Sequence, residues 1–414
     1  MRDEGFRDEH HNEHRSSRIS LEEMIYQKGI GIVSPLATGS YKNFEAVANG
    51  ESRLRRYENK WHIPEPFFAS LFEANAIDDI FTQSCQQFSK HRATTTYTPF
   101  EKIAISAACE AILQAQIDPA HDDVLFILST TKGNIDLLNT PHDYEPERIY
   151  LWRSAQLIAQ FFGNPNTPIV VSNACISGCA AQLTAFNLLK YNSSYRHIIV
   201  IGAETLSRFV ISGFQSFKAL SPERCQPFDQ NRCGLNLGEA AAAIVYAQTN
   251  QESELPENAV LLSAGAINND ANHISGPSRT GEGLMQSINK TIKNIDNQDI
   301  AFINAHGTAT LYNDDMESMA IHRSGLQDII VNSMKGYYGH TLGAAGVMEV
   351  ILSSIALQKQ MVLCSLGSQH PGTVKPLHVC QQTTQNQGNA FLKLISGFGG
   401  SNAALLFTLK HQHE

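Results

Sequence analysis

Short runs of consecutive apolar residues, most bounded by Gly, Asn or Ser, recur along the chain, with longer stretches of helical spacing between them. Gly29–Val33, Val124–Ser129, Pro168–Ser172, His197–Gly202 and Ala240–Ala247 form a first series. After the polar stretch Gln248–Asn258 a second begins: Val260–Ser263, Ala301–Asn304, Ile329–Val331, Leu392–Ile395 and Ala404–Leu409. Continuous runs predict strands buried on both faces, because a strand with one wet face would alternate. With helical patterns at Leu151–Phe162, from just after Cys175 to about Lys190, and at Leu342–Leu357, the fold class is α/β. The restart near residue 258 predicts two similar halves, 24–255 and 256–412, although no internal repeat is strong enough to demonstrate duplication. Residues 1–23 show no such periodicity. They carry alternating charges and three close histidines, His10, His11 and His14, and read as a solvated, mobile extension to which no metal site is assigned.

Length and charge narrow the functional classes. A chain of 414 residues with 42% hydrophobic and 17% charged residues can bury a large core, which excludes wholesale disorder. The net charge of −9 argues against nucleic acid as the main partner. No apolar run approaches the roughly 18–20 residues of a membrane span. The charged N-terminal segment lacks the apolar region of a secretory signal. Eight cysteines in such a chain read as reduced thiols in a cytoplasm.

Four segments carry candidate chemistry. In Ser172-Asn173-Ala174-Cys175-Ile176-Ser177-Gly178 a strand ends, small residues turn the chain, and a helix starts with Cys175 at or near its first turn. The helix dipole there favours thiolate, and the backbone N–H of Cys175 is free for a developing oxyanion. The alternative is an ordinary buried thiol. His306 follows a buried strand in Asn304-Ala305-His306-Gly307-Thr308-Ala309-Thr310, the end at which open α/β folds place their sites. Lys335 and His340 lie in Asn332–His340, after another short strand. Each histidine taken singly is also compatible with a satisfied core or loop position. Ser396-Gly397-Phe398-Gly399-Gly400-Ser401-Asn402 is either a functional glycine-rich loop or a tight turn between antiparallel strands.

Together these segments resemble, in order and detail, the 3-oxoacyl-[acyl-carrier-protein] synthases of the KAS I/KAS II type and the related polyketide ketosynthases. The matching elements are Cys175 in its small-residue turn, His306-Gly307-Thr308-Ala309-Thr310, Lys335 five residues before His340, and Gly397-Phe398-Gly399-Gly400-Ser401-Asn402. Pro227-Phe228-Asp229 with Gly238-Glu239 also fits, and the likeness spans about 25 to 409. The resemblance implies the thiolase fold, two related halves in α-β-α-β-α layers, usually as a homodimer; a heterodimer with a second ketosynthase-like chain is the other arrangement. It implies a decarboxylating Claisen condensation between an acyl thioester on Cys175 and malonyl on acyl carrier protein (ACP). His306 and His340 would stabilise the enolate, and the backbone N–H groups of Cys175 and Phe398 would form the oxyanion hole. Lys335 would support the histidines, ion-paired to Glu349. Thr308 and Thr310 would bind the phosphopantetheine arm. Phe398 would act as a gate flanked by Gly397, Gly399 and Gly400, and Lys218 would contribute to ACP docking. No metal and no resident cofactor are implied.

The sequence also departs from this pattern. The region between 130 and 162 is short, Cys233 stands where an Asp is usual, and Glu239-Ala240-Ala241-Ala242 replaces a glycine-rich run. These features lean towards a specialised polyene, pigment or polyketide pathway. The competing readings are a chain-length-factor-like partner that is not acylated, against which Cys175 itself argues, and a thiol hydrolase or acyltransferase using only Cys175 and His306. Arg53, Arg55 and Arg56 are a second basic cluster, read mainly as a solvated surface.

Overall fold

A computed structural model describes residues 23–91, 95–192 and 194–410. The charged extension and its three histidines, apart from Glu23, lie outside the described residues. Five strands build the first half: β1 (Met24–Val33), β2 (Val124–Ser129), β3 (Ile169–Val171), β4 (His197–Glu204) and β5 (Ala240–Thr249). Five more build the second: β6 (Val260–Asn269), β7 (Ile300–Asn304), β8 (Val331–Asn332), β9 (Ala390–Gly397) and β10 (Ser401–Leu409). Their spatial order is β8-β7-β9-β10-β6-β1-β5-β4-β2-β3.

The order is the same in each half when read outward from the middle. β1 pairs antiparallel with β5, β5 antiparallel with β4, β4 parallel with β2, and β2 parallel with β3. β6, β10, β9, β7 and β8 repeat that sequence of partners and directions. A single residue pair, Tyr26 with Leu261, joins the two five-stranded sheets. Two sheets of one topology are the architecture expected of the thiolase fold.

Seven of the helices among the described residues are α1 (Pro99–Ala115), α2 (Leu151–Phe161), α3 (Ser177–Tyr191), α4 (Arg208–Ser216), α5 (Glu282–Thr291), α6 (Leu311–Arg323) and α7 (Ala345–Gln358). The side-chain period of two in a strand assigns each sheet two dry faces. On β5, Ala242, Ile244 and Tyr246 join the central core with α3 and α7, while Ala241, Ala243 and Val245 join the outer core under α1 and α2. On the second sheet Phe391, Ile395, Leu405 and Phe407 face the centre, and Leu392, Leu394 and Ala404 face α5 and α6. Five layers follow from this alternation.

Helices α3 and α7 fill the middle layer and touch backbone to backbone. A Cβ on Gly178 would stand 2.9 Å from the Val347 nitrogen, and one on Gly346 would stand 2.6 Å from the Cys179 nitrogen. Gln182 spans the contact, donating to the Gly178 and Gly346 carbonyls at 2.9 and 3.0 Å and accepting from the Tyr246 hydroxyl at 2.8 Å. Gly346→Ala should therefore destabilise the protein by about 1–3 kcal/mol, because the helices must separate to admit the methyl group; chemical denaturation measures this, and an unchanged midpoint would contradict the close contact. Helix α1 starts on a capping box. Thr98 Oγ1 accepts from the Glu101 N–H at 3.2 Å and the Thr98 N–H returns a bond to Glu101 at 3.0 Å, with Pro99 opening the first turn.

The strands are longer than the apolar runs suggest at most positions, since polar and glycine residues at their ends still pair. Val124–Ser129 is unchanged, and two runs contract: Pro168–Ser172 to Ile169–Val171, and Ile329–Val331 to a strand that begins only at Val331 and ends at Asn332. The helix read over Leu342–Leu357 opens as a 3₁₀ turn at Leu342–Ala344 before α7. A small sheet of Arg55–Tyr57, Phe67–Ser70 and Leu237–Gly238 had no periodic signal because its strands are only two to four residues long.

Candidate active site

The functional segments meet where strand ends and helix starts from both halves converge. After β3, Ala174 takes a left-handed conformation (φ +43°), which costs an L-residue about 1–2 kcal/mol. Ser177 holds the turn: its hydroxyl accepts from the Asn173 N–H at 2.8 Å and donates to the Ala174 carbonyl at 2.6 Å. Cys175 is thereby delivered just ahead of α3, whose first residue is Ser177. From the other half, the β9–β10 turn comes back to the same point. Gly397 lies so near that a Cβ there would be 3.1 Å from the Cys175 nitrogen, and the Ser401 hydroxyl donates to Asn173 Oδ1 at 3.1 Å. The glycine-rich segment is thus both a tight antiparallel turn and part of the site, two roles the sequence left as alternatives.

His306 leaves β7 and is held through its backbone. Its N–H and that of Gly307 each donate at 2.7 Å to the two carboxyl oxygens of Glu317, on the buried side of α6. His340 follows the single helical turn Lys335–Tyr338. The Leu342 N–H donates to His340 Nδ1 at 3.3 Å, so Nδ1 is the acceptor and Nε2 carries the proton. The two imidazole rings stand edge to face, centroids 4.8 Å apart. One ligand atom each of Cys175, His306 and His340 lies within 4.8 Å of the other two. All three residues are buried, and both His306 Nδ1 and His340 Nε2 are without a partner. Among the described residues this is the group placed to hold a soft metal ion. It is equally a set of donors around a reacting thiol.

Burial, then the charge of Lys335, holds both histidines well below the usual imidazole range, so they are neutral at neutral pH. Burial also decides the state of the thiol. It pushes Cys175 up to about 11, against the downward pull of Lys335 and of the Phe398 backbone N–H. The thiolate that the helix-start position led us to expect is therefore corrected to a resting thiol. A dipole at one helix end does not offset full desolvation of a charge.

Lys335 and Glu349 form a buried ion pair. A second lysine, Lys393 on β9, binds the other oxygen of the same carboxylate and donates to Asn304 Oδ1 at 2.7 Å. Burial pushes Glu349 upwards, but the two ammonium groups outweigh it and hold the carboxyl below its usual range. Neither Lys393 nor Glu317 was found from the sequence. Lys393 carried one local signal, a charge inside the apolar run Phe391–Ile395; Glu317 carried none.

A cavity of about 500 Å³ opens over the thiol and the histidines. Thr308 and Thr310, their hydroxyls 2.9 Å apart, line one wall, and Lys218 stands at the exposed rim. Phe398 closes part of the mouth, stacked on Phe214 (5.7 Å) and edge-on to Phe217 (5.4 Å). Gly399 and Gly400, at φ +84° and +78°, make the turn beside it. Cys233 is exposed on the same wall. The arginine cluster does not line the cavity: Arg55 and Arg56 pair with Glu73 and Glu58 on the small sheet.

Comparison with known proteins places this architecture. Residues 24–251 match the model of the beta-ketoacyl synthase N-terminal domain, and residues 258–369 match that of the C-terminal domain. The chain belongs to the beta-ketoacyl synthase family. It is 27% identical over 415 residues to 3-oxoacyl-[acyl-carrier-protein] synthase 2 of Rhizobium meliloti, covering 91% of this chain and 97% of the relative. Its fold is similar to that in the structure of the ketosynthase ApeO in complex with its chain length factor ApeC from Xenorhabdus doucetiae, with a TM-score of 0.80, 23% identity, and coverage of 94% of this chain and 98% of the other. A beta-ketoacyl synthase from Burkholderia phymatum matches at a TM-score of 0.81, with 20% identity and coverage of 94% and 99%. Among the described residues no helix is long and apolar enough to cross a membrane.

Proposed function

We propose that the protein condenses a Cys175-bound acyl group with malonyl-ACP, giving 3-oxoacyl-ACP and CO2. The observation that carries the reading is the thiol beside two neutral imidazoles, each with one nitrogen lacking a hydrogen-bond partner among the described residues, on one cavity. Cys175 attacks the carrier's thioester carbonyl; the C–S bond to the carrier breaks, and the carrier sulfur leaves as a thiol with the proton that Cys175 gives up. Malonyl-ACP then enters with its thioester oxygen between His306 and His340. The bond to CO2 breaks, and its electron pair becomes an enolate whose oxygen accepts hydrogen bonds from the imidazoles. The enolate carbon attacks the Cys175 thioester, its oxyanion held by the N–H groups of Cys175 and Phe398. The C–S bond breaks, and the cysteine sulfur regains a proton. Two neutral donors suit this charge, because a neutral N–H stabilises the enolate without handing it a proton prematurely.

Thr308 and Thr310 would receive the phosphopantetheine arm, Phe398 would gate the mouth, and Lys218 would meet the acidic carrier. The substrates bring their own prosthetic group, so the chemistry calls for no resident cofactor. Eight free thiols fit a reducing, cytoplasmic setting. Incubation with acyl-ACP and malonyl-ACP should yield 3-oxoacyl-ACP and CO2; absence of product with every primer length would refute the assignment.

A second copy, or a related chain, would cover β3, the edge strand of the first sheet. Near it along the chain Leu138, Tyr150 and Trp152 are each more than half exposed, 56%, 52% and 51%. An uncovered strand edge beside apolar side chains is an association surface. The protein should sediment as a dimer, and a Tyr150→Glu/Trp152→Glu double variant should shift it towards monomer; an unchanged dimer would place the interface elsewhere.

A further inference from the structure

We propose that Lys393 is a positioning residue of the condensation, holding the end of β7 that leads into His306 and adding one positive charge to the Lys335–Glu349 pair. This rests on the reaction proposed above. Lys393 is fully buried, and its strand neighbours Leu392 and Leu394 point to the opposite, outer core. Its ammonium reaches three acceptors: Glu349, Asn304 Oδ1 at 2.7 Å and the Ala305 carbonyl at 3.5 Å. Asn304 passes the contact on, donating to Asn332 Oδ1 at 2.8 Å, and Asn332 donates to the Leu363 carbonyl at 2.9 Å. The ends of β7 and β8 are thus tied to the middle of β9, two residues before His306 in the chain.

The charge balance is as important as the tie. Lys335 and Lys393 share one carboxylate; burial pulls the Lys393 ammonium below its usual range while Glu349 pulls it back up, and with both lysines charged the trio by itself carries +1. A lone Lys335–Glu349 pair would be neutral. The excess charge opposes protonation of either histidine, and it favours the anion that develops at their N–H groups. Charged and titratable groups around the histidines include Lys335, Lys393 and Glu349, Cys175 at the start of α3, and Glu317 of α6 on the backbone of His306, while Lys218, Cys233, His273 and Tyr312 line the same cavity. Glu204 of β4 accepts from Gly343, three residues past His340. Removal of the Lys393 charge should let the histidines protonate at higher pH, which moves the acid limb of decarboxylation upwards.

The test measures malonyl-ACP decarboxylation and Cys175 acylation separately between pH 5 and 8, for the wild type, Lys393→Gln, Lys393→Arg and Asn304→Asp. Lys393→Gln keeps a donor for Asn304 and leaves Lys335–Glu349 as a neutral pair. Its acid limb should rise by about one pH unit or more, about a tenfold loss of decarboxylation on that limb, with acylation within about twofold of wild type. Lys393→Arg should retain the wild-type limb. Asn304→Asp, which neutralises the charge while keeping the lysine, should reproduce the upward shift and serves if Lys393→Gln does not fold. An unshifted limb in Lys393→Gln or Asn304→Asp overturns the inference, as does a parallel fall of acylation and decarboxylation in both. A wild type that decarboxylates malonyl-ACP at no pH would instead remove the underlying assignment.

Discussion

Cys175→Ala is expected to abolish acyl loading and condensation while malonyl-ACP decarboxylation persists. In the proposed reaction the two half-reactions use different atoms of one cavity. Acyl transfer needs the sulfur, and no other cysteine stands against the histidines: Cys179 is buried behind them in the central core, and Cys233 lies exposed on the outer wall. Condensation should fall by at least about 10⁴-fold, the usual consequence of deleting a covalent nucleophile. Decarboxylation needs only the donors at His306 and His340, which the truncation leaves in place. His306→Ala should therefore give the reverse pattern, with acylation retained and decarboxylation lowered by about 10²–10³-fold, as for removal of one oxyanion donor. Intact-mass measurement after incubation with acyl-ACP reads the first half-reaction, and CO2 release reads the second. A Cys175→Ala protein that still gains acyl mass would place the nucleophile elsewhere. Loss of decarboxylation in that variant would mean that the thiol takes part in both steps.

Glu349→Gln should destabilise the protein strongly. One carboxylate compensates two buried lysines, so its neutralisation strands both charges. Removal of one partner from a buried ion pair typically destabilises by about 3–5 kcal/mol, and here two cations lose their partner. Lys335→Met should cost less, because Lys393 and Glu349 remain paired. Urea denaturation orders the two variants; equal midpoints would mean that the trio does not act as a unit. Since a domain of this kind has a margin of about 5–15 kcal/mol, Glu349→Gln is expected to fold poorly or only at reduced temperature.

The α/β class and the four chemical segments were legible because each is local. A buried strand announces itself as a continuous apolar run, and a turn on small residues followed by helical spacing positions Cys175 without reference to anything distant. The same holds for Lys335 and Glu349, fourteen residues apart across one helix start. The protonation state of Cys175 was misread from that local context, since the turn promises a helix dipole while only packing sets how far water is excluded. The glycine-rich loop remained ambiguous for a similar reason. Nothing in Gly397–Asn402 reveals that it folds back against the N–H of a residue more than two hundred positions earlier.

The sequence by itself determined the alternation of strands and helices, the restart that separates two sheets of like topology, and the candidates for the reacting groups. Only the tertiary structure decided that one carboxylate serves two lysines, that Glu317 carries the backbone of His306, and that both imidazoles line one cavity with a nitrogen each left without a partner among the described residues. Periodicity and turn chemistry act over a few residues and are written in the local order of side chains. Desolvation and charge pairing depend on which distant side chains packing brings within a few ångströms, and for Lys393 that meant a strand from the far end of the chain.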